Sequence, residues 1–182
     1  LLLLSSPNFF VEEDKILTTL FEEGLDILHL RKPDSEPVYC ERLLTLLPDK
    51  YHQRVITNDH FYLKDEFDLM GIHLTERNST PPPGYKGLIT RTCYNLEDLP
   101  ELKKKSHYVI LRGVFDSFND SNALSQYTHE QLREASRKGL IDKHVMAQTG
   151  VSLEKIQEVR ELGFGGAVVC SDIWKRFNIH NG

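Results

Sequence analysis

Eight short apolar runs, each separated from the next by a helix or a helix-sized connector, constrain this chain more than any other feature. They are Leu1–Ser6, Leu25–Leu30, Arg54–Thr57, Leu69–Leu74, Gly87–Thr92, Tyr108–Val114, His144–Ala147 and Phe164–Cys170. "LDILHL", "DLMGIHL", "HYVILRGV" and "FGGAVVC" are nearly continuous apolar stretches, as expected of parallel strands covered by helices. Between the runs, helical spacing recurs. Val11–Glu23 puts Ile16, Leu17, Leu20 and Phe21 on one side and the acids with Lys15 on the other, and Gly24 supplies a C-cap. Glu36–Leu47 has Leu43, Leu44, Leu46 and Leu47 on its apolar side and stops at Pro48. Phe61–Phe67 reads as a brief helix. Asn95 caps a helix over Leu96–Lys105, Thr128 caps one reaching Lys138 or Gly139, and Ser152 begins one ending near Gly163. Residues 75–86 carry Pro81-Pro82-Pro83-Gly84 and form an irregular loop.

Strict alternation of strand and helix means a parallel sheet. Eight repeats predict a single (β/α)8 barrel, a TIM barrel, over residues 1–182. A doubly wound open sheet is the alternative, but no GxGxxG follows the first run. Barrels usually need roughly 200 residues or more. The last helix, starting at Asp172, is therefore short or missing. The apolar seam between the first and last strands then needs cover, for which a second copy in a homodimer is one candidate.

Composition narrows the function. Forty percent apolar residues exclude general disorder. The 27 acids against 22 bases give a net charge of −5, the wrong balance for a protein that lives on nucleic acid. No apolar run approaches the ~20 residues of a membrane helix. Leu1–Leu4 is too short for a signal-peptide core and has no basic lead-in. Cys40, Cys93 and Cys170 are odd in number, widely spaced and without CxxC. They indicate neither a disulfide framework nor a zinc site, and the expected compartment is the reducing cytoplasm.

In a barrel the active site lies at the C-terminal strand ends. There the sequence places His29, Arg31 and Lys32, then Asn58 and Asp59, Thr92, Ser117, Thr149 and Gly150, and Cys170 and Ser171. This set is rich in donors and positive charge, as a phosphorylated ligand requires. Gln148-Thr149-Gly150-Val151-Ser152 and Cys170-Ser171-Asp172 are small, flexible turns where barrels commonly hold phosphate. Plainer roles stand beside these: His73 as a satisfied core histidine, Cys170 as a small packed residue, and Met70 and Met146 as core.

The segments "GLDILHLRK", "VITNDH", "MGIHL", "LEDL", "YVILRGVF" and "VMAQTGVSLEKIQEVRELGFGGAVVCSDI" resemble the thiamine phosphate synthase and TenI family in order and spacing, from Leu1 to about Phe177. The resemblance implies a (β/α)8 barrel. It also implies an enzyme that joins hydroxymethylpyrimidine diphosphate to thiazole phosphate, giving thiamine phosphate and diphosphate with Mg²⁺. The family's Gln-x-Arg-x-Lys appears as His29-Leu30-Arg31-Lys32-Pro33, with Arg31 retained. Its Asn-Asp is intact as Asn58-Asp59, which implies a diphosphate contact and one Mg²⁺ ligand. The Asp of Asp-Gly-Val-His-Leu, carried over as a second ligand, is Met70 here, and a thioether suits Mg²⁺ poorly. The family Ser after strand five is Thr92. The diphosphate grip Thr-x-Thr-Lys becomes Ser117-Phe118-Asn119-Asp120, with the charge reversed at Asp120. Thr149-Gly150 and Cys170-Ser171 keep the thiazole phosphate side. That pattern resembles the TenI branch, although Gly113 stands where a thiazole tautomerase would place its His, leaving His29 and His73 as stand-ins. The readings are thus a synthase with an eroded diphosphate and Mg²⁺ half, a TenI-like tautomerase, or a non-catalytic barrel binding thiazole or thiamine phosphate.

Overall fold

The computed structural model describes residues 1–117 and 124–177. Eight parallel strands close into a barrel in chain order: β1 (Leu2–Leu4), β2 (Ile27–Leu30), β3 (Val55–Thr57), β4 (Gly71–Leu74), β5 (Leu88–Cys93), β6 (Val109–Leu111), β7 (Val145–Ala147) and β8 (Gly166–Val169). Closure is made by Leu2, which registers with Ile27 on one side and Val168 on the other. Around them lie α1 (Glu13–Glu22), α2 (Pro37–Leu46), α3 (Leu63–Glu66), α4 (Leu99–Lys104), α5 (His129–Arg137), α6 (Ile156–Glu161) and α7 (Ser171–Arg176). No helix intervenes between β4 and β5 among the described residues, as the run of prolines requires.

The core has two parts. Leu2, Ile56, Tyr108, Ile110 and Val168, with Leu4, Ile27, Met70, Leu88 and Met146 packed on them, fill the barrel and draw on every strand or the residue beside it. A larger cluster including Leu28, Leu44, Leu63, Leu99, Leu132 and Val159 lies between barrel and helices. Each strand serves both, β4 through the preceding Leu69 and Met70, which explains the unbroken apolar runs.

Two expectations are corrected in detail. α2 buries Cys40, Leu43 and Leu44, with Leu47 following, and the period of 3.6 then turns Leu46 to solvent, where it is 63% exposed. α1 buries Glu13 on its inner face, so its acids are not all on the outside. Ser152 begins the next helical stretch, as expected, with no side-chain cap: the first turn is a 3₁₀ turn whose Leu153 N–H donates to Asp172 Oδ2 at 3.2 Å, and α6 follows to Glu161. Thr128, by contrast, forms a full capping box with Gln131. Asn95 Oδ1 accepts from Asp98 N–H, opening a 3₁₀ turn ahead of α4.

The seam between β8 and β1 is closed within the chain. The last helix is short, as expected, but Trp174 on it is fully buried. Its Nε1–H donates to Leu4 O at 3.0 Å, and its ring meets Phe10 edge-on at 5.7 Å. That cover removes the reason for a second copy at this seam.

Candidate active site

The C-terminal mouth gathers most of the expected residues, in two tiers. Arg31 is in the outer tier. Its backbone is held by Ser5, whose hydroxyl accepts from Arg31 N–H at 2.8 Å and donates to Arg31 O at 3.0 Å. Its guanidinium is exposed and forms no ion pair with the described residues. Asp59 sits beside it, half-buried, and accepts the Lys32 backbone N–H at 3.3 Å, tying the tops of β2 and β3 together.

Lys32 is not in the mouth. Its side chain is fully buried beneath the β1–α1 connection, with Nζ donating to Glu13 Oε2 at 2.6 Å, Ser6 O at 2.7 Å and Asn8 O at 3.0 Å. Nζ also lies 4.4 Å from the Phe9 ring centroid. Burial pushes the Lys32 amine down and the Glu13 carboxyl up, while their mutual attraction pulls each back toward its charged form. The expectation that Lys32 meets a ligand directly is corrected: all its reach is spent on the chain. The adjacent Pro33 offers no cation to replace it.

The inner tier is polar and buried. His29 Nδ1 lies 3.1 Å from Asn58 Oδ1, and its Nε2 lies 2.5 Å from the Tyr108 hydroxyl. His73 Nδ1 lies 2.7 Å from Thr90 Oγ1 and its Nε2 2.6 Å from Thr92 Oγ1. Burial lowers the His29 pKa to about 4 and takes His73 well below its usual range, so both rings are neutral at pH 7. His73 is thus the satisfied interior histidine its strand suggested. Tyr108 and Thr90 were not expected here. The signal was available, because Tyr108 is two residues before the inward Ile110 and Thr90 two before Thr92.

Across the mouth, Thr149 and Gly150 knit the β7 turn to the β6 turn. Thr149 has φ +83° and its hydroxyl accepts Gly113 N–H at 3.2 Å. Phe115 N–H donates to Thr149 O at 3.2 Å. Gly150 has φ +65°, and a Cβ there would lie 1.9 Å from Asp116 O. Only glycine allows that approach. Cys170 and Ser171 stand at the start of α7, half-buried, and Cys170 packs on the outer core. Ser117 ends the described part of the β6 loop. Asn119 and Asp120 lie outside the described residues. A cavity of about 250 Å³ opens beside β4 and β5, lined in part by Thr75, Glu76, Arg91, Thr92 and Tyr94.

Met70 lies at the opposite end of the barrel. It immediately precedes β4, donates its N–H to Val55 O at the start of β3, and packs on the inner apolar cluster. Whatever holds a metal at the mouth, position 70 does not, so the sequence-based placing of a second ligand there is overturned. Met70→Asp is expected to lose about 1–3 kcal/mol of stability, by putting a carboxylate against apolar side chains, and to gain no Mg²⁺ affinity. Urea unfolding and Mg²⁺ titration of the variant check both parts.

Among the described residues no three His, Cys, Asp or Glu converge as a metal cage. Mg²⁺ does not need one, since it is commonly held by one or two carboxylates with water and substrate phosphates. Asp59 fits that manner of binding.

A family model described as thiamine monophosphate synthase matches residues 5–173. The chain belongs to the thiamine monophosphate synthase family. A thiamine phosphate pyrophosphorylase from Bacteroides thetaiotaomicron, solved by crystallography, shares 48% identity over 97% of this chain and 85% of its own, with a TM-score of 0.88. The thiamine-phosphate synthase of Cronobacter sakazakii is 27% identical over 90% of this chain and 81% of its own length. A thiamine phosphate pyrophosphorylase from Pyrococcus furiosus, 19% identical with a TM-score of 0.74 over 93% of this chain, shares the barrel fold. No helix of the described residues is long and apolar enough to cross a membrane.

Proposed function

We propose that this family member is a thiamine-phosphate synthase, acting on small phosphorylated pyrimidine and thiazole substrates at the C-terminal mouth. The observation that carries the reading is the 48% identity to the Bacteroides pyrophosphorylase along nearly the whole chain, with Arg31, Asn58 and Asp59 side by side on the tops of β2 and β3. The named relatives are synthases or pyrophosphorylases, which favours this activity over tautomerisation or binding alone.

In the reaction, the bond between the pyrimidine methylene and the diphosphate oxygen breaks and the diphosphate leaves with the electron pair. The thiazole nitrogen then forms the new carbon–nitrogen bond. Arg31 and the Asn58 amide are assigned to the departing diphosphate, where charge develops. Asp59 would hold Mg²⁺, which when bound neutralises diphosphate charge. Thr149, Gly150, Cys170 and Ser171 are assigned to the thiazole phosphate, and Thr92 and Ser117 to the space between. Lys32 is assigned no substrate contact. None of the three cysteines is in a disulfide, in keeping with a cytoplasmic enzyme.

Thermal shift with thiazole phosphate, and with inorganic diphosphate plus Mg²⁺, tests the site. A ligand at ~100 times its dissociation constant adds about 2.7 kcal/mol, roughly 5–10 °C for a domain this size. Both shifts are expected. Neither appearing would overturn the assignment of the mouth.

A further inference from the structure

His29 and His73 lie under the mouth with ring centroids 5.0 Å apart, edge to face, and the reaction outlined above gives neither a task. For His29 the direction of the hydrogen bonds is fixed by Asn58. Asn58 Oδ1 can only accept, so His29 Nδ1 carries the proton and donates to it. The ring is fully buried, forms no ion pair with the described residues and is neutral. One proton on Nδ1 leaves a lone pair on Nε2, which therefore accepts from the Tyr108 hydroxyl. The donation runs in one sense, from Tyr108 to His29 to Asn58.

The end of that chain matters. With Oδ1 held from below, the Asn58 amide keeps Nδ2 and its two N–H donors, for which no described residue provides an acceptor. Asn58 is half-buried at the top of β3, next to Asp59. An asparagine free to flip presents oxygen as readily as nitrogen, and oxygen repels a phosphate. We infer that His29 is a positioning residue that sets the Asn58 amide with its N–H donors toward an anionic oxygen of the ligand, the Tyr108 hydroxyl completing the chain by donating to Nε2. This rests on the reading of the mouth as a phosphate or diphosphate site and adds how its neutral donor is aimed. His73 faces a hydroxyl at both nitrogens, so its direction stays open and the inference is confined to His29.

The test has two parts. The first is ¹⁵N-resolved NMR of the wild-type imidazoles without ligand. The expected His29 spectrum shows a protonated Nδ1 and a bare Nε2; the reverse tautomer would overturn the inference. The second is calorimetric titration with inorganic diphosphate and Mg²⁺. His29→Leu, which keeps the volume and removes the donor, is expected to weaken binding about 5- to 10-fold, the scale of one hydrogen bond. His29→Gln can donate to Asn58 Oδ1 through its own amide and is expected to recover most of that loss. Binding by His29→Leu at wild-type strength, or no recovery in His29→Gln, would also overturn it. If the wild type binds no diphosphate, the reading of the mouth fails, while the tautomer spectrum still decides the role of His29. The spectrum needs no variant to fold.

Discussion

Lys32→Ala is expected to lower stability by about 3–5 kcal/mol and Tm by roughly 6–20 °C. The reason is what the substitution leaves behind. Glu13 is 2% exposed and Lys32 0%. Removing the ammonium strands a carboxylate in a site that already penalises its charge, since burial pushes the Glu13 carboxyl up even with Lys32 present. It also strips the donor from Ser6 O and Asn8 O, which shape the β1–α1 connection. Glu13→Leu combined with Lys32→Met is expected to recover part of the loss, because an apolar pair of similar size avoids the cost of burying charge while Ser6 O and Asn8 O still lack their donor. A Tm for Lys32→Ala within about 2 °C of the wild type would show that the pair does not hold this corner of the barrel. Paired unfolding scans of the three proteins settle it.

The same residue shows where sequence reasoning stops. A basic pair after the second strand reads naturally as two cations at the mouth, and Arg31 is at the mouth. Lys32 differs by one position, and one position along the chain turns a side chain to the other face. Its partner is 19 residues earlier, on a helix whose acids all look solvent-facing by count. No local pattern marks Glu13, because the 3.6-residue period locates a face and not an ion pair reaching across to it. The barrel itself is legible, because strands buried on both sides must be apolar throughout and the chain repeats that eight times. Met70 is the opposite case. Its place in the family pattern says nothing of height along the strand, and height separates a metal ligand from a residue in the barrel floor. Tyr108 is missed for being bulky at the start of a strand, although its two-residue spacing from Ile110 already aims it inward.

Arg31→Ala is expected to weaken binding of inorganic diphosphate about 10- to 100-fold, the effect of losing one charge-assisted hydrogen bond worth roughly 1.5–3 kcal/mol. The side chain is exposed and supports no ion pair among the described residues, so stability should be nearly unchanged. That contrast with Lys32 is the useful part. Two adjacent cations should separate cleanly, one acting on the ligand and one on the fold. Arg31→Lys is expected to recover only part of the affinity, since a point charge cannot reproduce a planar fork on a phosphate. Calorimetric titration of both variants checks this, and an Arg31→Ala protein that binds as tightly as wild type would move the diphosphate elsewhere in the mouth.

The most direct test of the whole account is turnover by the purified wild-type chain. Hydroxymethylpyrimidine diphosphate, thiazole phosphate and Mg²⁺ are supplied together, and thiamine phosphate and free diphosphate are followed over time. The two products are expected in equal amounts, at a rate that falls in Arg31→Ala. A folded protein that binds thiazole phosphate and yields neither product would contradict it.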